Sequence, residues 1–234
     1  MMRYALILFF LWPVLSWAEL SAPLEQPKIN PGDTASLRRG AKLYVDRCLG
    51  CHGLKHLRYL RLKQDLSLSD EEFKTLFPWL DRPTGALTSN LRDEDAQAWF
   101  GVPAPDLSER AKALGTDWLY TYLKSFYADD SRPFGVNNWV SKDVAMPNVL
   151  WDLQGKQKAV INKGQIERLE IVEAGSLSPQ EFDRTVTDLV NFLAYAAEPT
   201  QLERRRLGKY VIGFLLVLTF VAYRLKKAYW KDIH

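Results

Sequence analysis

The stretch DRCLGCHGLKH, residues 46–56, holds both cysteines of the chain, Cys48 and Cys51, and two of its three histidines, His52 and His56. What occupies this stretch decides what the rest of the chain must fold around. A thiol–disulfide exchanger places Cys-x-x-Cys where a strand of a βαβ unit feeds a helix. Here both flanks read as helical and no βαβ pattern surrounds them. A structural zinc ion needs four ligands. The near neighbours offer Cys48, Cys51, His52 and His56, and a helical reading puts His56 one turn beyond His52, which is too cramped for a tetrahedron. Cys-x-x-Cys-His is instead the spacing at which two thiols add to the two vinyl groups of a haem while the adjacent imidazole reaches the iron. The expectation is one covalently attached haem c, with Cys48 and Cys51 as thioether links and His52 as an axial ligand.

Elimination narrows the second axial ligand. On the helical reading His56 shares the face of His52 and cannot reach the far side of the iron, and His234 ends the chain. Two of the three methionines, Met1 and Met2, open the sequence. That leaves Met146, in VAMPNVLW. It lies near the end of residues 128–150, which read as one long loop carrying Pro133, Gly135 and Pro147; loops of that length are uncommon without a task. A thioether is a soft ligand, and a His/Met pair raises the reduction potential and leaves no open position. The metal ligands expected are therefore His52 and Met146, and the chemistry expected is electron transfer rather than reaction with oxygen or peroxide.

Both ends of the chain are apolar. MMRYALILFFLWPVLSWA, residues 1–18, reads as a secretory signal: Arg3 is the positive start, Tyr4 to Leu15 the apolar centre, and Ser16 and Ala18 the small residues before a cleavage site. An uncleaved membrane anchor is the other reading, but the run is shorter than the ~20 residues of a span. A second run, YVIGFLLVLTFVAY from Tyr210 to Tyr223, is flanked by Lys209 and Arg224 and by Tyr229 and Trp230, as a membrane anchor is. Basic residues are equally numerous on both sides of it, so the signal sets the orientation. The expected division is a signal at 1–18, an exported haem domain at 19–203, an anchor at 204–226 and a cytoplasmic tail at 227–234. Residues 19–203 carry 22 Lys and Arg against 27 Asp and Glu, net −5, whereas residues 204–234 carry +7. An acidic body argues against nucleic acid and for a basic protein partner.

Between the ends, a helix is expected from Thr34 to the cysteine stretch. Its Gly40 reads either as a tolerated helix glycine or as a place where another helix crosses closely. Residues 57–100 read as short helices with a stop at Pro78, one of them started by Ser69 and its following acids. Thr116 to Tyr127 reads as a helix with Trp118, Leu119, Tyr122, Leu123 and Phe126 on one face. Lys158 to Val172, with Lys163-Gly164 between alternating runs, reads as a β-hairpin. Ser178 and Glu181 form a capping box around Pro179 and open a helix with Phe182, Val186, Leu189, Val190 and Leu193 as its buried stripe.

Several of these stretches together resemble the cytochrome c1 family, of proteobacterial type, over nearly the whole exported chain. CLGCHGLKHLRYLRL is similar to its haem-attachment segment, VPAPDLS (102–108) to its loop against the haem, VAMPNVLW to its methionine loop, and LAYAAEPTQLERRRLG (193–208) to its junction with the anchor. The resemblance implies a mainly α, class I cytochrome c-like domain with loop insertions and a small hairpin, plus one C-terminal transmembrane helix. It implies that Pro105 packs on the haem, that Tyr59 lies near a propionate or else in the core, and that either Arg110 or Lys112 meets the propionates. It implies a redox subunit, not an enzyme on its own, of the respiratory bc1 complex (ubiquinol–cytochrome c oxidoreductase). Such a subunit takes an electron from the Rieske iron–sulfur protein and passes it to a soluble c-type cytochrome. The expected setting is the cell's inner membrane, beside cytochrome b, in a dimeric complex with the haem domain in the periplasm. Acidic groups at Asp70-Glu71-Glu72, Asp93-Glu94-Asp95 and Asp129-Asp130 read either as docking patches or as solvated helix ends. The alternative function is another membrane-anchored cytochrome c, such as a haem subunit of a terminal oxidase.

Overall fold

Two helices crossing at a glycine form the frame. A computed structural model describes residues 22–231; the expected signal, His234 and the end of the tail lie outside the described residues. Helix α1 (Thr34–Arg47) is capped by Asp33, whose carboxylate accepts from the Ser36 N–H at 3.1 Å. It leads directly into the cysteine stretch. Strand β1 (Leu54–Arg58) follows, then α2 (Tyr59–Asp65) and α3 (Asp70–Leu76). The helix start expected at Ser69 is a capping box: Ser69 Oγ accepts from Glu72 N–H and Glu72 accepts from Ser69 N–H. Strand β2 (Ala86–Leu87) pairs antiparallel with β1. Then come α4 (Asp93–Phe100), α5 (Arg110–Leu114), α6 (Thr116–Lys124), the antiparallel pair β3 (Phe126–Ala128) and β4 (Val136–Asn138), α7 (Trp151–Gln154), the hairpin β5 (Gly155–Asn162) and β6 (Gln165–Ala174), α8 (Pro179–Ala197) and α9 (Gln201–Tyr229).

The crossing of α1 over α8 decides between the two readings of Gly40. A Cβ at Gly40 would lie 2.0 Å from the Asp188 carbonyl oxygen and 2.7 Å from the Phe192 Cβ, so only glycine permits this approach. Arg39 closes the crossing with a bidentate pair to Asp188, at 2.5 and 3.0 Å. The side chains of α8 face α1, and Val186, Leu189, Val190 and Phe192 are fully buried against Leu37, Ala41 and Tyr44. The predicted stripe on α8 and its capping box at Ser178 are both present.

Three expectations need correction. Residues 54–58 form a strand, not the continuation of a helix, because Leu54 and Leu57 must be buried while Lys55, His56 and Arg58 face solvent, and Gly53 leaves room for the Leu87 carbonyl, 3.2 Å from where a Cβ would sit. The helix expected to reach Tyr127 ends at Lys124. Its last residues are recruited into β3 because Asn138 Oδ1 accepts from Ser125 Oγ and Asn138 Nδ2 donates to the Tyr122 carbonyl. Residues 128–150 accordingly include the strand β4 rather than a single loop. The hairpin is present and longer than expected, turning at Lys163-Gly164. The chain is mainly α with small strand pairs, and α9 is a helix long and apolar enough to cross a membrane.

Candidate functional site

The end of α1 builds the first wall of the site. The Cys48 and Leu49 N–H groups both bond to the Tyr44 carbonyl, and those of Cys51 and His52 bond to the Cys48 carbonyl at 3.0 and 2.7 Å. This one tight turn faces both sulfurs and the imidazole to the same side. The Tyr44 hydroxyl, buried against α8, donates to the His52 carbonyl at 2.6 Å and ties the turn to the core. Cys48 and Cys51 are free thiols, the first buried and the second exposed. Burial pushes the Cys48 thiol up to about 12, with Cys51 adding to the shift and Arg47 opposing it.

The opposite walls come from two loops. Residues 102–108 are clipped onto β1: the Asp106 carboxylate accepts from the Lys55 and Ser108 N–H groups at 2.9 and 3.0 Å, and Leu107 N–H bonds the Gly53 carbonyl at 2.8 Å. This clip presents the Pro105 carbonyl to His52 Nδ1 at 2.7 Å. A carbonyl only accepts, so Nδ1 carries the proton and Nε2 keeps its lone pair, the tautomer a metal-binding imidazole needs. Burial lowers the His52 pKa; the Pro105 bond works against this and Arg110 works with it.

Met146 stands on the other loop. That segment is held by two buried asparagines. Asn138 Oδ1 accepts from the N–H groups of Val140 and Ser141, and Asn137 Oδ1 from those of Asn138 and Asp143. Tyr122 on α6 donates its hydroxyl to the Met146 sulfur at 3.4 Å.

Between these walls lies a cleft lined by Cys48, Cys51, His52, Phe100, Val102, Pro105 and Met146 among other residues, with Arg47 at its rim. Its space, mouth included, is about 740 Å³. The lining is almost wholly apolar. Two thiols, an imidazole with a free Nε2 and a thioether all meet there, so the residues present fit a haem. Among the described residues no group of three or more His, Cys, Asp or Glu side chains is placed to hold a metal ion. His56, on β1, is exposed beside Glu109 at 3.8 Å.

Cys48, Cys51, His52, Pro105 and Met146 are thus brought together; Tyr59 and Arg110 are not on this lining. Tyr59 is buried edge-on against Phe73 and Phe77 and borders a separate void with Leu49, Gly50 and Trp79. Arg110 reaches His52 through its charge alone, and Lys112 pairs with Glu198 at 3.5 Å, beside the start of α9. Of the acidic groups, Asp70 and Glu72 are paired with Lys63 and Arg38. The Asp93–Asp95 group begins the helix whose other end puts Phe100 in the cleft. Sequence reasoning did not single out Arg47, which makes a bidentate pair with Asp152 at 3.0 and 2.7 Å, or the bond from Tyr122. Tyr122 was legible only as one member of a buried stripe.

Comparison with known proteins agrees with this geometry. The model of the Cytochrome C1 family matches residues 27–233. The chain is 48% identical to cytochrome c1 of Allochromatium vinosum over 90% of each chain. It is 39% identical to the ammonia monooxygenase gamma subunit of Nitrosomonas europaea over 100% of this chain and 99% of that one, and 28% identical to cytochrome c1 of Rhodospirillum rubrum over 93% and 86%. With a matched segment that takes in the cysteine turn, both loops and the long apolar helix, the chain belongs to the cytochrome c1 family.

Proposed function

We propose that this chain is the electron-transfer haem subunit of a bc1 complex, taking electrons from the Rieske iron–sulfur protein and handing them to a soluble c-type cytochrome. The observation that carries the reading is the convergence of Cys48, Cys51, His52 and Met146 on one apolar cleft. Cys48 and Cys51 would hold a single haem c covalently, His52 and Met146 would serve as its iron ligands, and Pro105 would lie against it. When bound, the haem supplies a one-electron couple, and the chain does the rest. Pro105 holds the proton on His52 Nδ1, Tyr122 holds the Met146 sulfur, and the lining around both is apolar. With His52 and Met146 both serving as ligands, the haem would be suited to electron transfer rather than to reaction with oxygen or peroxide.

Residues 1–18 serve as a cleaved signal, α9 anchors the domain in the inner membrane, and the body, net −5 over residues 19–203, faces the periplasm. The acidic body suits steering of a basic cytochrome, and cytochrome b lies beside α9 in a dimeric assembly. The test is purification of the full chain from membranes in mild detergent, with a pyridine haemochrome assay. Covalent haem together with co-purifying cytochrome b and Rieske protein is the expected result. Covalent haem without those two subunits would favour a different membrane-anchored cytochrome, such as a terminal oxidase subunit.

A further inference from the structure

A second cavity lies where the body of the domain meets the long apolar helix. Its walls include Lys112 on α5, Thr116 at the start of α6, Ala194 and Ala197 on α8, and Gln201 and Arg205 on α9, and its space is about 600 Å³, mouth included. Polar heads and small apolar side chains alternate around it, unlike the almost wholly apolar cleft at Met146. Its charge is unbalanced. Glu198 in the wall is already engaged by Lys112 at 3.5 Å and by Arg204. Asp117, next in the chain to Thr116, accepts from the Thr116 hydroxyl at 3.3 Å. Arg205 has no carboxylate partner among the described residues, so the surplus is positive and Arg205 carries it.

Helix α9 sets the height of this cavity against a bilayer. Gln201 and Arg205 are one turn apart, and at 3.6 residues per turn Gly208 and Ile212 continue their face into the apolar run. Ile212 is exposed, and a Cβ at Gly208 would meet nothing within 4 Å, so the face is an open apolar track leading away from the cavity. Arg205 stands one and a half turns before Tyr210, where the apolar run begins, a rise of about 7.5 Å. The headgroup layer on each side of a bilayer core is about 5–8 Å deep. With α9 across the membrane, the cavity opens at headgroup height.

We propose that this cavity binds the headgroup phosphate of an anionic phospholipid, on the side of the membrane that holds the domain. Arg205 and Lys112 take the phosphate oxygens, and an acyl chain follows Gly208 and Ile212. The inference rests on the reading of α9 as a membrane anchor. A guanidinium presents a planar fork of donors that fits two phosphate oxygens, and an ammonium adds a point charge. The Gln201 amide is left for the headgroup's hydroxyls. Two cations already hold Glu198, so no free carboxylate awaits an ammonium in the cavity. A phosphoglycerol headgroup therefore fits better than a zwitterionic phosphocholine.

The experiment places the full haem-loaded chain in phosphatidylcholine nanodiscs that carry a trace of chain-labelled phosphatidylglycerol or, in parallel, chain-labelled phosphatidylcholine. Spin-label spectra give the motionally restricted fraction of each, and covalent haem content verifies that every variant is folded. Wild type should restrict phosphatidylglycerol in preference to phosphatidylcholine. Arg205→Gln should lower that preference about fivefold, the effect of one basic side chain beside an anionic headgroup. Arg205→Lys should restore most of it. Lys226→Gln combined with Lys227→Gln, at the far end of α9, should leave it as in wild type. Equal restriction of the two lipids by wild type overturns the proposal. So does an equal fall in the Lys226 and Lys227 variant, which would assign the preference to the charge of the whole anchor. Inorganic phosphate in excess should displace no more labelled lipid than chloride of the same ionic strength; specific displacement would make the cavity a site for free phosphate and overturn the lipid assignment. Failure of the chain to enter nanodiscs would overturn the anchor reading itself, and this inference with it, whereas entry without preference leaves the anchor standing and removes only the lipid site.

Discussion

Replacing Gly40 by alanine sets two effects of opposite sign against each other. In a helix interior, alanine is favoured over glycine by about 1 kcal/mol. At this crossing, however, the new Cβ would lie 2.0 Å from the Asp188 carbonyl oxygen, 2.7 Å from its carbon and 2.7 Å from the Phe192 Cβ. All three atoms belong to the α8 backbone or are fixed to it, so no rotamer change relieves the contact. The helices must separate by about 1 Å or more, which loosens the packing of Tyr44 on Phe192, now 5.5 Å between ring centroids. Overpacking costs about 1–3 kcal/mol, and a clash with backbone belongs at the upper end. The net expectation is a loss of about 2 kcal/mol. Urea unfolding of the full chain in detergent, followed by tryptophan fluorescence, should show a midpoint lower by about 1 M for a slope near 2 kcal/mol/M. A midpoint that is unchanged or raised would refute the reasoning, since helix propensity alone predicts a rise.

The site yields further expectations. Serine at Cys48 or Cys51 should remove one thioether link, so pyridine haemochrome spectra would show an unsaturated vinyl group, and replacing both should leave no covalent haem. Met146→Ala should lower the potential and open the iron to carbon monoxide; an unchanged potential and no CO response would show that another ligand is used. For Asp106, burial pushes the carboxyl up, but hydrogen bonds from the Ser108 hydroxyl and from the N–H groups of Ser108 and Lys55 prevail and hold it below the usual aspartate range. Its contribution is full above the unfolded value of about 3.9 and is lost as pH falls through the lower folded value. Asp106→Asn should therefore lower the Tm at pH 7, with a gap from wild type that closes in acid; a gap constant with pH would contradict this. Asp93→Asn combined with Glu94→Gln should slow reaction with a basic cytochrome at low salt, and the difference should vanish at high salt.

The parts of this molecule that could be read from the sequence are those fixed by local chemistry. Cysteine spacing, the helix start at Ser69, the capping box at Ser178, the Lys163-Gly164 turn and the apolar period of α8 each act within a few residues, and each is found where the sequence places it. Met146 could be put forward as a ligand because the sequence offers so few soft ones, and it lines the cleft. What failed depended on partners distant in sequence. Leu54–Arg58 has no strong strand signal of its own; it is a strand because Ala86 and Leu87 lie alongside. Phe126 leaves the helix because Asn138, twelve residues later, captures Ser125 and the Tyr122 carbonyl. Gly40 could be flagged, yet its meaning depended on Asp188, 148 positions away. The Tyr122 hydroxyl is the same kind of case: a tyrosine in a buried stripe says nothing about which sulfur its oxygen will meet.

Only Glu198, Pro199 and Thr200 separate α8 from α9, and Glu198 is paired on one side with Lys112 and on the other with Arg204. Such a join is a bracket rather than a leash. α8 packs along α1, and α1 runs straight into the cysteine turn, so the cleft stands at a set height above wherever α9 is embedded. With 29 residues at about 1.5 Å each, α9 is about 43 Å long, enough to pass through a bilayer and protrude. A relay post mounted like this does not travel. On the proposed function, the redox partners would have to come to a site that stays where α9 holds it.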